Sequence, residues 1–70
     1  MTDCDYAILN GKNVALMGNE TPMSLMKRLG FDTSKIAVEI NGEICPRAEY
    51  ASIVLRKGDV IEVVSFVGGG

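Results

Sequence analysis

The sequence predicts a small α+β domain in which one short helix covers one face of a mixed β-sheet. Seventy residues suffice for a single domain, and its 47% hydrophobic and 23% charged residues are ordinary for a folded globule. Glycine-containing turns separate short apolar runs from one capped helical segment. Because a domain this small buries only about 60% of the surface of its unfolded chain, a deep catalytic cleft and an independent enzyme are not expected.

The chain is predicted to begin with a β-hairpin. Apolar runs at residues 6–9 and 13–16 flank Asn10-Gly11-Lys12. Asn-Gly is a strong hairpin signal because both residues tolerate the positive φ that a type I′ turn requires.

One short helix is predicted to follow, over residues 23–29. Thr21 suits its N-cap, Pro22 its first position and Gly30 its left-handed C-terminal position. The face predicted to pack on the sheet carries Leu25, Met26 and Leu29.

Strands are predicted at residues 36–40 and 43–45, joined by a turn at Asn41-Gly42. Pro46 ends the second of these strands because it has no N–H to donate. A short irregular segment then leads to a turn at Lys57-Gly58-Asp59.

The long final strand is predicted over residues 60–67, which gives four to five strands and one helix, an arrangement of the β-grasp type. Side chains alternate along a strand, so Ile61 and Val63 should face the helix if Glu62 faces solvent. Val64 and Phe66 should then lie on the outward face with Glu62. Together with Val67 they would form a docking patch for a partner protein, unless a loop covers them.

The sequence ends in Gly68-Gly69-Gly70, and the predicted organisation is a domain at 1–66 followed by a flexible tail at 67–70. Glycine has no Cβ, so Gly68 and Gly69 could thread a narrow channel in another protein and present the Gly70 carboxylate there. A frayed terminus or a cloning scar would have the same composition.

Composition narrows the classes of function. The net charge is −2 and the basic residues are not clustered, so the sequence does not predict binding to nucleic acid or to an anionic membrane. The apolar run at 60–67 is too short to span a bilayer, and the acidic N-terminus does not fit a signal peptide, so a cytoplasmic protein is expected.

Cys4 and Cys45 are the two cysteines, and histidine is absent. Two distant thiols without histidine exclude a structural zinc site, an iron–sulfur cluster and Cys-His catalysis. A disulfide between them stays open, although a reducing cytosol argues against it. Cys45 is expected to be a small packing residue and Cys4 an exposed bystander.

Residues 36–50 and 57–64, together with Gly69-Gly70, closely resemble the ThiS family, the ubiquitin-like sulfur carriers of thiazole synthesis in thiamin formation. The likeness rests on Asn41-Gly42, Pro46-Arg47 and the Gly-Asp turn in combination. The commoner family pattern has tryptophan where this chain has Tyr50.

The resemblance implies that the chain catalyses nothing itself and binds no cofactor. An E1-like adenylating enzyme of the ThiF type would use ATP and Mg to adenylate the carboxylate of Gly70. A cysteine desulfurase or another persulfide donor would supply sulfur, which leaves a thiocarboxylate. Thiazole synthase of the ThiG type would then accept that sulfur.

Arg47 has two interpretations. Its guanidinium could contact carboxylates on a partner, or it could pair with Glu49 or Asp59 on its own surface.

Three alternative functions stay open from the sequence. Another β-grasp sulfur carrier, the small subunit of molybdopterin synthase, also ends in Gly-Gly, although proline commonly precedes its tail where Ser65-Phe66-Val67 stands here. A ubiquitin-like protein modifier would use the same activation, and a binding module with an inert tail would be indifferent to removal of Gly70.

Overall fold

The computed structural model describes residues 5–66, and the β-grasp prediction is confirmed there by a five-stranded mixed sheet with one α-helix. The spatial order of the strands is β2-β1-β5-β3-β4; β1 and β5 are parallel, and the other neighbours are antiparallel. The strands are β1 (Asp5–Leu9), β2 (Lys12–Leu16), β3 (Ile36–Ile40), β4 (Glu43–Cys45) and β5 (Val60–Ser65). The helix α1 is Pro22–Arg28, and two 3₁₀ helices cover Thr33–Lys35 and Arg47–Glu49.

Both hairpins turn as the sequence predicts. Asn10 and Gly11 have φ values of 49° and 84°, and Asn41 and Gly42 have 54° and 84°. Paired positive values are those of a type I′ turn, whose twist matches that of the flanking strands.

Thr21 caps α1 as predicted, and it does so through a capping box. Its hydroxyl accepts a hydrogen bond from the N–H of Ser24, and the hydroxyl of Ser24 accepts one from the N–H of Thr21. One predicted member of the buried face is wrong, since Leu29 is 40% exposed. Leu29 is the C-cap, at which the helix ends, and Pro22 is buried in addition to Leu25 and Met26.

The core lies between α1 and one face of the sheet. Tyr50 is buried there, and its hydroxyl donates to the carbonyl oxygen of Ile36 at 3.4 Å. The buried hydrophobic residues are Ala7, Leu9, Leu16, Leu25, Met26, Ile36, Val38, Cys45, Tyr50, Leu55, Ile61 and Val63.

A buried carboxylate fastens α1 to the end of β2. Glu20 accepts hydrogen bonds from the Met17 N–H, the Ser24 hydroxyl and Arg28, the last a salt bridge of 2.7 Å. Burial by itself would raise the pKa of Glu20, but the hydrogen bonds from Ser24 and Met17, followed by that from Arg28, hold the pKa below its ordinary value. Arg28 also donates to the carbonyl oxygen of Ala15 at 2.7 Å.

The side chain of Asn10 fixes β5 in the middle of the sheet. Its amide nitrogen donates to the carbonyl oxygen of Val63, and its amide oxygen accepts from the N–H of the same residue. Asn10 therefore extends the pairing between β1 and β5 beyond the end of β1. The predicted last strand is shorter in the structure, Val60–Ser65 instead of 60–67.

Candidate functional site

The two faces of β5 differ as the sequence predicts. Ile61 and Val63 are 1% and 8% exposed, whereas Val64 and Phe66 are 60% and 51% exposed. No loop within residues 5–66 covers Val64 or Phe66, so that alternative does not hold in the part of the chain that the structure describes. Their role in docking stays a prediction.

The outward face extends across four strands. In β1 the side chains of Ala7 and Leu9 point to the core, and in β4 that of Cys45 does, so their neighbours lie on the other side of the sheet. We call this side of the sheet the open face; its members are Tyr6, Ile8, Ala37, Glu39, Ile44, Val60, Glu62, Val64 and Phe66.

Several of these apolar residues were missed from the sequence. Ile44, at 74% exposed, is the most open large apolar side chain found in residues 5–66, and Tyr6 is 51% exposed. The alternation of side chains in β1 and β4 carried the signal, but only the sheet order shows that β1 lies beside β5 and that β4 lies beside β3, on the same sheet. Exposed apolar patches of this kind are typical of protein-binding surfaces.

A backbone hydrogen bond fixes the position of Phe66, the residue before Val67. The N–H of Phe66 donates to the carbonyl oxygen of Lys35 at 2.7 Å, one residue beyond the register pair of Ser65 with Ile36. Phe66 is thus held at the end of the first 3₁₀ helix. Whatever follows Phe66 starts beside the open face.

That 3₁₀ helix is itself stabilised by local hydrogen bonds. The carboxylate of Asp32 accepts from both the N–H and the hydroxyl of Ser34. These two hydrogen bonds, with smaller contributions from the nearby charges of Lys35 and Arg47, lower the pKa of Asp32.

Arg47 has a different intrachain partner from those predicted. Its guanidinium donates to the carbonyl oxygen of Ser34 at 3.2 Å, and the expected ion pair with Glu49 or Asp59 is not formed. Asp59 instead caps its own turn, accepting from the N–H of Arg56 and from the side chain of Asn41. Arg47 therefore links the second 3₁₀ helix to the first, next to the anchor of Phe66.

Cys45 is a packing residue, as predicted. It is 5% exposed, and burial, with a smaller contribution from the charge of Glu49, raises the pKa of its thiol. A raised pKa disfavours the reactive thiolate.

The remaining predicted site residues, namely Val67, Gly68, Gly69 and Gly70, lie outside the described residues, as does Cys4. Within residues 5–66 no group of three or more metal-ligating side chains converges. The described helices include none with the length and apolarity needed to cross a membrane.

A five-stranded mixed sheet of β-grasp order with one α-helix defines a small domain of the ubiquitin-like class. The chain belongs to the ThiS family, whose model matches residues 7–70.

Individual relatives agree with this assignment. The sulfur carrier protein ThiS of Bacillus subtilis is 38% identical over 63 residues, which cover 89% of this chain and 96% of that protein. The crystal structure of the thiamine biosynthesis protein ThiS from Geobacter metallireducens superposes with a TM-score of 0.75 at 29% identity, covering 93% of this chain and 99% of that one.

A second kind of relative is much longer. The thiazole synthase of Paramagnetospirillum magneticum is 40% identical over 63 residues, which are 90% of this chain but 19% of that protein. The thiazole synthase of Magnetococcus marinus is 42% identical, again with 19% of its length covered. The chain therefore spans about a fifth of the length of these relatives.

Proposed function

We propose that this protein is a sulfur carrier for thiazole synthesis in thiamin formation, and that it acts as a protein co-substrate without a catalytic site of its own. Membership of the ThiS family is the observation that carries the proposal. The likeness to a named sulfur carrier over nearly the whole of both chains supports it.

The chemistry would take place at the carboxylate of Gly70. A carboxylate is an anion near pH 7 and resists nucleophiles, so it needs activation. An adenylating enzyme of the ThiF type would join it to AMP, using ATP and Mg and releasing pyrophosphate. A persulfide sulfur would then expel AMP, and a thiol that reduces the resulting S–S bond would leave the thiocarboxylate.

Gly68 and Gly69 would let this carboxylate enter the partner's active site. They offer no Cβ to a narrow channel, and they accept backbone conformations that other residues resist. The hydrogen bond from the N–H of Phe66 to the carbonyl oxygen of Lys35 supports this proposal, because it holds the residue before Val67 at a defined point of the folded domain.

The open face would supply the docking contacts. Val64 and Phe66 lie at the end of β5 nearest the tail, with Val67 next in sequence. A partner that covers them would hold the domain while its active site holds Gly70.

Thiazole synthase of the ThiG type is the proposed sulfur acceptor. Two relatives that bear this name contain a segment similar to this chain within the same polypeptide. This arrangement supports the proposal that the sulfur carrier and thiazole synthase act together. The adenylating enzyme and a cysteine desulfurase or other persulfide donor are the further proposed partners, in a cytoplasmic setting.

Mass spectrometry of the intact protein tests the proposal. After incubation with the adenylating enzyme, Mg-ATP and a persulfide donor, the mass should rise by the exchange of one oxygen for sulfur at Gly70. Omission of ATP is the control. An unchanged mass in the complete reaction would contradict the proposed function.

A further inference from the structure

Two glutamates face each other on the open face. Glu39 of β3 and Glu62 of β5 are register partners in the antiparallel pairing of these strands. Both project away from the core, since the residues that flank them, Val38 on β3 and Ile61 and Val63 on β5, are buried. Opposite residues of antiparallel strands have Cβ atoms about 4.5–5.5 Å apart, so the two negative charges repel each other.

Apolar residues flank this pair, and neither carboxylate forms a salt bridge within residues 5–66. Val60 and Val64 flank Glu62 on its own strand, and Ile44 of β4 is the register partner of Glu39 on the other side. Within residues 5–66, the salt bridge found is Arg28–Glu20, on another part of the molecule. The free protein therefore carries two like charges within an exposed apolar surface.

We propose that the open face docks on thiazole synthase through an apolar surface bearing a lysine or arginine, and that this cation lies between Glu39 and Glu62. The inference rests on the proposed function, which supplies the partner. It adds the chemistry of the interface, an apolar contact with one central positive charge.

Charge complementarity is the reason for a cation. In the free protein water screens the two carboxylates, but an apolar partner surface would remove that water and strengthen their repulsion. A lysine or arginine between them converts the repulsion into two attractive contacts with charge-assisted hydrogen bonds. A partner surface that is purely apolar, or that places an acidic residue at this point, would bind more weakly because the two carboxylates would stay uncompensated.

The test measures binding of the full chain to the thiazole synthase of the same organism by titration calorimetry. The variant Glu39→Gln/Glu62→Gln keeps the shape of both side chains and removes both charges. The control, Glu43→Gln/Glu49→Gln, removes two charges beside the groove of about 450 Å³ between β4 and the second 3₁₀ helix, and neither residue belongs to the open face.

We expect the open-face variant to bind about tenfold or more weakly, as for loss of charge-assisted hydrogen bonds, and the control to bind like the wild type. Binding by the wild type should also weaken more steeply with added salt than binding by the open-face variant. In urea the open-face variant should be at least as stable as the wild type, because it relieves the repulsion.

Equal binding by the open-face variant and the wild type would overturn the inference, as would equal losses in the open-face variant and the control. Absence of wild-type binding to the synthase would overturn it too. Thiocarboxylate formation by the wild type, followed by mass spectrometry in parallel, separates these results from a failure of the proposed function. If the wild type forms the thiocarboxylate and the Glu39→Gln/Glu62→Gln variant binds the synthase as tightly as the wild type, the docking inference alone is contradicted.

Discussion

The N–H of Phe66 donates a 2.7 Å hydrogen bond to the carbonyl oxygen of Lys35, while the aromatic side chain of Phe66 is half exposed on the open face. The backbone of this residue thus belongs to the folded domain, and its side chain is free for a partner. The two roles can be separated by mutation.

Phe66→Asp should weaken binding to the adenylating enzyme or to thiazole synthase by about 2 kcal/mol if the ring is a central anchor of the interface. The backbone hydrogen bond survives, so the free energy of unfolding should change by no more than about 0.5 kcal/mol. Calorimetric binding and urea unfolding measure the two quantities. Val54→Asp is a matched control, since Val54 is also 51% exposed but lies in the loop before β5. Unaltered binding, or loss of the folded state, would remove Phe66 from the docking surface.

Arg47→Ala should lower the free energy of unfolding by at most about 1 kcal/mol, because it removes one exposed hydrogen bond to the carbonyl oxygen of Ser34. We expect the rate of adenylation to stay that of the wild type over a range of ionic strength. Slower and more salt-sensitive adenylation would instead identify Arg47 as a contact to the partner.

Glu20→Gln should destabilise the protein by about 1–3 kcal/mol at neutral pH, since hydrogen bonds to a buried charged group are lost. Because the pKa of Glu20 is lowered in the folded state, its charged form stabilises the fold above the ordinary pKa of 4.5, and this contribution is lost as the pH falls through the folded-state pKa. Urea unfolding at a series of pH values should show the difference between wild type and variant shrinking on acidification. Glu49→Gln, on the exposed second 3₁₀ helix, is the control. A difference that does not vary with pH would contradict this account.

Gly42→Ala should cost about 1–2 kcal/mol of unfolding free energy, because Gly42 has a φ of +84° and a Cβ is strained in the left-handed region. No atom lies within 4 Å of the added Cβ, so the backbone is the whole cause. Gly18→Ala, which meets equally open space without a positive φ, should be close to neutral. Equal effects of the two substitutions would show that the turn does not require glycine.

Features set by neighbouring residues could be predicted from the sequence. Each Asn-Gly turn depends on two adjacent residues, and the N-cap of α1 depends on Thr21 and the first helical turn after it. The difference between the two faces of β5 depends only on the alternation of side chains along a strand. Leu29 was placed wrongly because helical periodicity does not say where the chain leaves the helix.

The rest of the open face depends on contacts between distant parts of the chain. Ile44 and Tyr6 join Val64 only because the sheet order puts β4 and β1 on either side of the central pair of strands. The opposition of Glu39 and Glu62 requires the register of β3 against β5, and the partner of Arg47 requires the position of the first 3₁₀ helix. Sequence periodicity predicts neither the register of β3 against β5 nor the position of the first 3₁₀ helix.

The transfer of sulfur from Gly70 is the central claim, and a labelled thiocarboxylate tests it most directly. Protein carrying isotopically labelled sulfur at Gly70 is incubated with thiazole synthase and its other substrates, and the thiazole product is analysed by mass spectrometry. We predict that the label enters the thiazole ring and that the carrier returns to its carboxylate form, whereas protein lacking Gly70 folds normally and delivers no sulfur. A thiazole without label, or transfer of the label only to the substrate of molybdopterin synthase in a parallel reaction, would contradict the account.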